Sequence, residues 1–291
     1  VDVQRAPAAQ MASVHAPVAV APVAAQSAVE EMAKLITRAK RPLVWLGGGA
    51  RGAAEQAREL MRRGVGVVTS TNGRGVVSEE EAANLGAFNM GPDAAELFAS
   101  CDLMLVVGSR LRGNETRNNK MPLPRPLLQI DADAAQGGRN YPVDVFAHGD
   151  AADTLRRLLD LLPEQLETDA GLRFDIARLR AQAEGRLREQ LGPYSVVAEA
   201  INTAVGAGGN AWVRDVTISN STFGNRYVRL SDPRQGVHAL GGGIGQGVAM
   251  GIGAALASPG SKAITLLGDG GTMLGLAEMI TAVDENAPLV Y

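Results

Sequence analysis

Asp269 is framed by glycines in Gly268-Asp269-Gly270-Gly271, and no other turn in the chain points as directly to chemistry. Ahead of it, Ala263, Ile264, Thr265, Leu266 and Leu267 form a short apolar, partly β-branched run. That is the pattern of a strand buried on both faces of a parallel sheet, and such strands present ligands at their carboxyl ends. The glycines let a ligand approach the main chain, and the helix-like pattern that follows would aim free N–H groups at the same place, which favours phosphate. A carboxylate beside a phosphate repels it unless a cation lies between them, so Asp269 reads as a magnesium or calcium ligand. The same residues also read as an Asp in a Gly-rich turn that caps the next helix.

Two upstream stretches carry related signals. Ala211 to Val216 reads as a strand that ends in Thr217-Ile218-Ser219-Asn220-Ser221, a small polar cluster. Hydroxyl and amide side chains there can donate to a diphosphate without bringing a competing charge, and a simple polar turn is the equal alternative. The run from Gly241 to Ala255 is dense in Gly and Ala at a helix start. Glycine at that density costs up to about 1 kcal/mol per residue in a helix, so close packing or ligand approach must offset it. His15, His148 and His238 have no Cys, His or acidic partner at metal spacing, which argues against zinc. His238 reads as a loop histidine satisfied by backbone, within reach of the Gly run. Cys101, the single cysteine, excludes an internal disulfide, and its apolar neighbours read as those of a buried structural thiol.

The remaining chain must position these groups. Its 291 residues suffice for about two domains. With 46% hydrophobic and 20% charged residues and a net charge of -3, it has a globular composition and no basic footprint for nucleic acid. No apolar run is long enough to span a bilayer and no signal peptide is visible, so the expectation is a cytoplasmic protein. Arg5 to Gln26 is an Ala/Pro-rich linker with little to pack against. Ser27, with Glu30 as capping-box partner, is expected to open a helix carrying Val29, Met32 and Ile36. Pro42 to Leu46 then reads as a strand running into Gly47-Gly48-Gly49-Ala50-Arg51-Gly52 and a helix through Arg62. A dinucleotide site would need an acid at the end of the next strand, where Thr69, Ser70, Thr71 and Asn72 stand instead, so the glycine turn reads as structural. Strands ending at Gly108-Ser109-Arg110 and Asp131-Ala132-Asp133 continue the βα alternation of a parallel, doubly wound domain. Leu172 to Leu191 reads as a linking helix with Phe174, Ile176, Leu179 and Leu187 on its apolar side and a solvated charge run elsewhere.

In this order the motifs resemble the thiamine-diphosphate enzymes, acetolactate synthase and its relatives in particular. GDGGTMLGLAEMITAVDENAPLVY resembles the first part of that family's diphosphate motif, and RPLVWLGGGAR, CDLMLVVGSRL and LQIDADAAQGGRNYPVDVFAHGDA resemble the strand ends of its central domain. The resemblance implies an α/β protein with two doubly wound parallel-sheet domains, the second truncated at its C-terminus. Residues 1–27 would be the end of a missing N-terminal domain and a linker. Residues 28–165 would be a central Rossmann-like domain, 166–192 a linking helix and 193–291 a partial diphosphate- and magnesium-binding domain. It also implies Asp269 as a Mg²⁺ ligand, with its Asn partner beyond Tyr291. Gly268, Gly270, Gly271, Ser219 and Asn220 would lie around the diphosphate of bound thiamine diphosphate. Ile244 would wedge between the cofactor's rings, and a carbonyl near Gly242 would accept from its amino group. FAD at Arg110, Asp131 and Asp133 is the minor option, since Leu111-Arg112-Gly113-Asn114-Glu115 departs from the FAD-binding pattern.

The implied activity is decarboxylation of a 2-oxo acid with optional carboligation, in a homodimer or homotetramer and with no nucleic-acid or membrane partner. The activating Glu would come from the missing domain, leaving this chain inactive alone. The alternative is a non-catalytic FAD- or ADP-binding assembly module. The start at Val1 without Met and the apolar Leu289-Val290-Tyr291 at the end raise the expectation that the protein extends in both directions.

Overall fold

Alternation along single strands decides the architecture. In β1 (Pro42–Leu46), every residue is buried, but Val44 and Leu46 pack into one core while Leu43 and Trp45 pack into another. Successive side chains of a strand point to opposite faces, so this sheet is covered on both. A computed structural model describes residues 20–206 and 209–291. In it β1 lies within a five-stranded parallel sheet with β2 (Gly66–Thr69), β3 (Leu103–Val107), β4 (Leu127–Asp131) and β5 (Val145–His148), in the order β2-β1-β3-β4-β5.

Helices α1 (Gln26–Arg38), α2 (Ala54–Arg62) and α4 (Ala151–Leu161) supply Val29, Met32, Ile36, Leu60 and Leu155 to the first core. Helices α3 (Pro92–Ser100) and α5 (Gly171–Leu191) supply Leu97, Phe98, Ile176 and Leu179 to the second. The second core runs on without a break into Trp212, Phe223, Tyr227 and Leu230 of the following unit.

That unit holds α6 (Ser195–Gly206), β6 (Ala211–Arg214), β7 (Gly236–His238), α7 (Gly247–Leu256), β8 (Ala263–Leu266), α8 (Asp269–Gly275), α9 (Met279–Asp284) and β9 (Leu289–Val290). Its four strands are again parallel, ordered β7-β6-β8-β9. Both sheets therefore place their first strand next to the second on one side and the third on the other, which sets a topological switch point between β1 and β3 and between β6 and β8. Two doubly wound α/β sheets are what the strand pattern predicts. Among the described residues no helix is long and apolar enough to cross a membrane.

Charged groups sealed between the units fix their relation. Arg74 and Glu79, with side chains only 1% exposed, form a bidentate pair at 2.8 and 2.7 Å. Arg74 also donates to the Gly224 carbonyl (3.0 Å) and to that of Val228, and Glu79 accepts the Leu230 N–H (2.9 Å). Arg51 donates to the carbonyls of Pro233 and Gly236.

Several sequence expectations are corrected here. Helix α1 starts at Gln26 behind Ala25, which makes no side-chain cap, so Ser27 lies inside the first turn and Glu30 accepts from Gln26 Nε2 (2.9 Å) instead. The last residues of the linker are docked: Ala24 is buried, Asp150 N–H donates to Pro22 O (2.8 Å) and Arg157 donates to Ala24 O (2.8 Å). Phe174 is exposed because it falls opposite the stripe of Leu172, Ile176, Leu179, Ala183 and Leu187. The charge run of α5 is not wholly solvated, since Arg180 is buried, paired with Glu184 (2.9 Å) and donating to Asn84 O (3.0 Å). His15 and most of the linker lie outside the described residues.

Candidate functional site

At the β6/β8 switch point the chain leaves β6 at Arg214, earlier than the apolar pattern predicts. The reason is local: Asp215 Oδ1 accepts the Val216 N–H at 2.8 Å and turns the backbone out of the ladder. The other oxygen, Oδ2, accepts the Gly245 N–H at 2.9 Å, so one buried carboxylate joins the end of β6 to the glycine run before α7. Gly245 has φ +91°, a conformation in which a side chain would be strained, and a Cβ there would press on Leu274 at 2.9 Å.

Asp269 stands one strand over, as the first residue of α8, and is exposed. The turn before it is braced by Thr272, whose N–H (2.9 Å) and hydroxyl (2.8 Å) both donate to Gly268 O. Gly271 is packed tightly: a Cβ on it would lie 2.5 Å from Asp215 Oδ2 and 3.5 Å from Ile244 Cγ2. Over Gly270, Gly241 and Gly242, in contrast, a Cβ would meet no described residue within 4 Å. Gly245 and Gly271 thus pack on Asp215, Ile244 lies beside Gly271, and Ile244 keeps its side chain largely exposed.

The polar cluster after β6 divides. Asn220 is buried, and its Nδ2 donates to Asp215 O (2.6 Å) and Leu266 O (3.3 Å), stitching the ends of β6 and β8 together. Its Oδ1 is buried with no partner among the described residues. Ser219 is exposed, and its carbonyl accepts from Thr222 Oγ1 (2.9 Å).

A polar cleft of about 460 Å³ opens beside this turn, between the carboxyl ends of the two sheets. Asn72, Arg112 and Glu115 line it from the first unit, and Arg214, Asn220 and His238 from the second, with Gly241 and Gly242 at its margin. His238 is the last residue of β7, not a loop histidine, and its pairing is the register of β7 on β6 (Arg214 beside His238). Burial, with Arg214, Arg51 and Arg112 nearby, pushes its imidazole down to about 4. Burial, and then Arg74 and Arg51, pull the Arg214 guanidinium down to about 9 against the opposing pull of Glu79.

The FAD positions lie apart from this cleft. Arg110 is exposed, Asp131 Oδ1 accepts the Asp133 N–H (2.9 Å), and Asp133 caps a short turn by accepting the Ala135 N–H (3.0 Å). The glycine turn after β1 is closed by protein, with Gly47 N–H donating to Val107 O (2.8 Å) and Gly49 N–H to Gly108 O (3.0 Å). A Cβ at Gly47 would sit 2.2 Å from Gly108 O, so backbone fills the β1/β3 switch point. Cys101 is a free thiol whose pKa burial raises to about 11, as suits an inert side chain.

Asp215, Arg214, Arg112 and Glu115 were not visible as site residues in the sequence. An acid next to a base at the end of an apolar strand, Trp212-Val213-Arg214-Asp215, was the available signal for the first two. Around Asp269 the donor set is a single carboxylate beside open main chain, and among the described residues no group of three or more His, Cys, Asp or Glu could hold a metal. That suits Mg²⁺, which takes one or two carboxylates together with phosphate oxygens, and not zinc or an all-protein calcium cage.

Known proteins give the same two-part division. The family description "Thiamine pyrophosphate enzyme, central domain" matches residues 29–158, and "Thiamine pyrophosphate enzyme, C-terminal TPP binding domain" matches residues 217–291. The chain is 32% identical over 273 residues to a probable 2-ketoarginine decarboxylase of Pseudomonas aeruginosa, covering 92% of this chain and 48% of that protein. It is 27% identical over 273 residues to the large subunit of acetolactate synthase isozyme 1 of Escherichia coli, covering 92% and 48%. It is 26% identical over 274 residues to a pyruvate oxidase of Lactiplantibacillus plantarum, covering 90% and 44%. The chain spans about half the length of the curated relatives it matches. Two parallel sheets in this order and these matches together make the chain a member of the thiamine-diphosphate-dependent, acetolactate synthase-like enzyme family.

Proposed function

We propose that this chain carries the diphosphate- and magnesium-holding part of an enzyme that decarboxylates a 2-oxo acid, with optional ligation of the product to a second carbonyl. The observation that carries this reading is the exposed Asp269 carboxylate at the β6/β8 switch point, beside Gly270, where an added Cβ would meet no described residue within 4 Å. Asp269 would hold Mg²⁺, and Gly268, Gly270 and Gly271 would let a diphosphate reach the backbone. Bound thiamine diphosphate supplies the electron sink for cleaving the bond between a carboxylate and a carbonyl. The chain's own part is positional. Asp215 holds the glycine run in place through Gly245, Ile244 would wedge between the cofactor's rings, and a carbonyl near Gly242 would accept from its amino group. A further domain would supply the activating acid, and pairing of copies would complete the site.

Binding of thiamine diphosphate with Mg²⁺, of FAD and of ADP to the full-length protein, each followed by calorimetry, tests the reading. Saturable binding of the first alone is the expected result. Binding of FAD or ADP without thiamine diphosphate would replace it with a non-catalytic nucleotide-binding module.

A further inference from the structure

Arg214 is a charge without a counter-charge. It is only 2% exposed, and no carboxylate lies within ion-pair distance of it among the described residues. Its Nη1 donates to the Gly224 carbonyl (3.4 Å) and to Asn225 Oδ1, its Nε is sealed without a partner, and no hydrogen bond from Nη2 to a described residue is present. A buried ion left in this state is strongly unfavourable unless an opposite charge reaches it. Protein carboxylates nearby are committed elsewhere. Glu79 is taken by Arg74, Glu115 accepts the Thr71 N–H (2.9 Å) and faces Arg112 (3.8 Å), and Asp215 is bonded to Val216 and Gly245. Arg51 adds a second cation that, among the described residues, is bonded only to carbonyls.

The cleft is also lined by Asp215, Asn220 and Gly242 and so adjoins the turn around Asp269, but strand geometry gives Arg214 a direction of its own. Arg214 and Asp215 are successive residues and point to opposite sides: Asp215 reaches the glycine run before α7, while Arg214 reaches Gly224 and Asn225 and lines the cleft between the sheets.

We propose that this interdomain cleft binds a small oxyanion, a carboxylate or a phosphate group, with Arg214 at its floor and Arg112 and His238 on its walls. The ligand supplies the charge that Arg214 lacks and bridges the two units, since Arg112 belongs to the first and Arg214 and His238 to the second. A guanidinium fork suits either planar carboxylate or phosphate oxygens. The cleft adjoins the site proposed for the diphosphate through Asp215, Asn220 and Gly242, and the test therefore omits thiamine diphosphate and Mg²⁺ and reads the response through Arg112 and His238.

The test uses the full-length protein with isotope-labelled histidine rings, at neutral pH and constant ionic strength, without thiamine diphosphate or Mg²⁺. Inorganic phosphate and pyruvate are titrated separately, and the His238 resonance is identified by its loss in His238→Gln. The expected result is a saturable shift of that resonance with at least one anion, weakened about tenfold or more by Arg112→Gln. A response to pyruvate alone assigns the site to a carboxylate, and a response to phosphate alone to a phosphate group. Arg112 is half exposed, so this variant tests the site even where Arg214→Gln fails to fold. No saturable shift with either anion, or one that Arg112→Gln leaves unchanged, overturns the proposal.

Discussion

Asp215 and Gly245 are thirty residues apart in sequence and meet through a single hydrogen bond, Gly245 N–H to Asp215 Oδ2 at 2.9 Å. The bond fixes where the glycine run leaves the sheet, and with it where Ile244 stands over the start of α8. Asp215→Ala would leave the Val216 and Gly245 N–H groups without their acceptor at part-buried positions. The expected cost is about 2–3 kcal/mol, and roughly half that for Asp215→Asn, which keeps one acceptor. Denaturant unfolding of both variants checks the order.

Gly270 and Gly271 are neighbours with opposite expected responses to a methyl group. At Gly270 a Cβ meets no described residue, so Gly270→Ala should stabilise the unliganded protein by up to about 1 kcal/mol and weaken cofactor binding. At Gly271 the same change drives a Cβ into Asp215 Oδ2 and should destabilise the fold itself. Thermal unfolding with and without thiamine diphosphate and Mg²⁺ separates the two outcomes.

His238 makes stability depend on pH. Above its ordinary value of 6.5 it is neutral in both states. As pH falls from 6.5 through about 4, the unfolded chain takes up a proton that the folded chain refuses, so stability falls with pH. Solvent reaches part of the ring, and the expected loss is therefore about 1–2 kcal/mol. His238→Gln should flatten this limb, which unfolding free energies at pH 7 and pH 5 would reveal.

Arg74 and Glu79 tie the units together. Arg74→Met leaves Glu79 charged and buried and should cost about 3–5 kcal/mol. Trp45 lies in the first sheet and Trp212 in the second, so their fluorescence reports each side separately. The surroundings of Trp212 are expected to loosen at lower denaturant than those of Trp45.

Much of the fold was legible because its strands are short apolar runs closed by glycine or polar turns, as in Leu103 to Val107 before Gly108. The turn at Asp269 was legible for the same reason. What escaped the sequence depended on distant partners. Arg180 and Arg74 look like ordinary surface cations until carbonyls from other elements close around them, and Phe174 looks like core until the stripe through Leu172 and Ile176 fixes which side faces inward. Asp215 could be assigned only once Gly245 was seen to donate to it.

Calorimetry of thiamine diphosphate with Mg²⁺ binding to full-length wild-type protein and to Asp269→Ala tests the cofactor assignment most directly. Loss of a charged metal ligand should weaken binding by at least about tenfold, with unfolding of the unliganded protein little changed because Asp269 is exposed. Equal affinity in the two proteins would contradict the assignment of Asp269 and the function built on it.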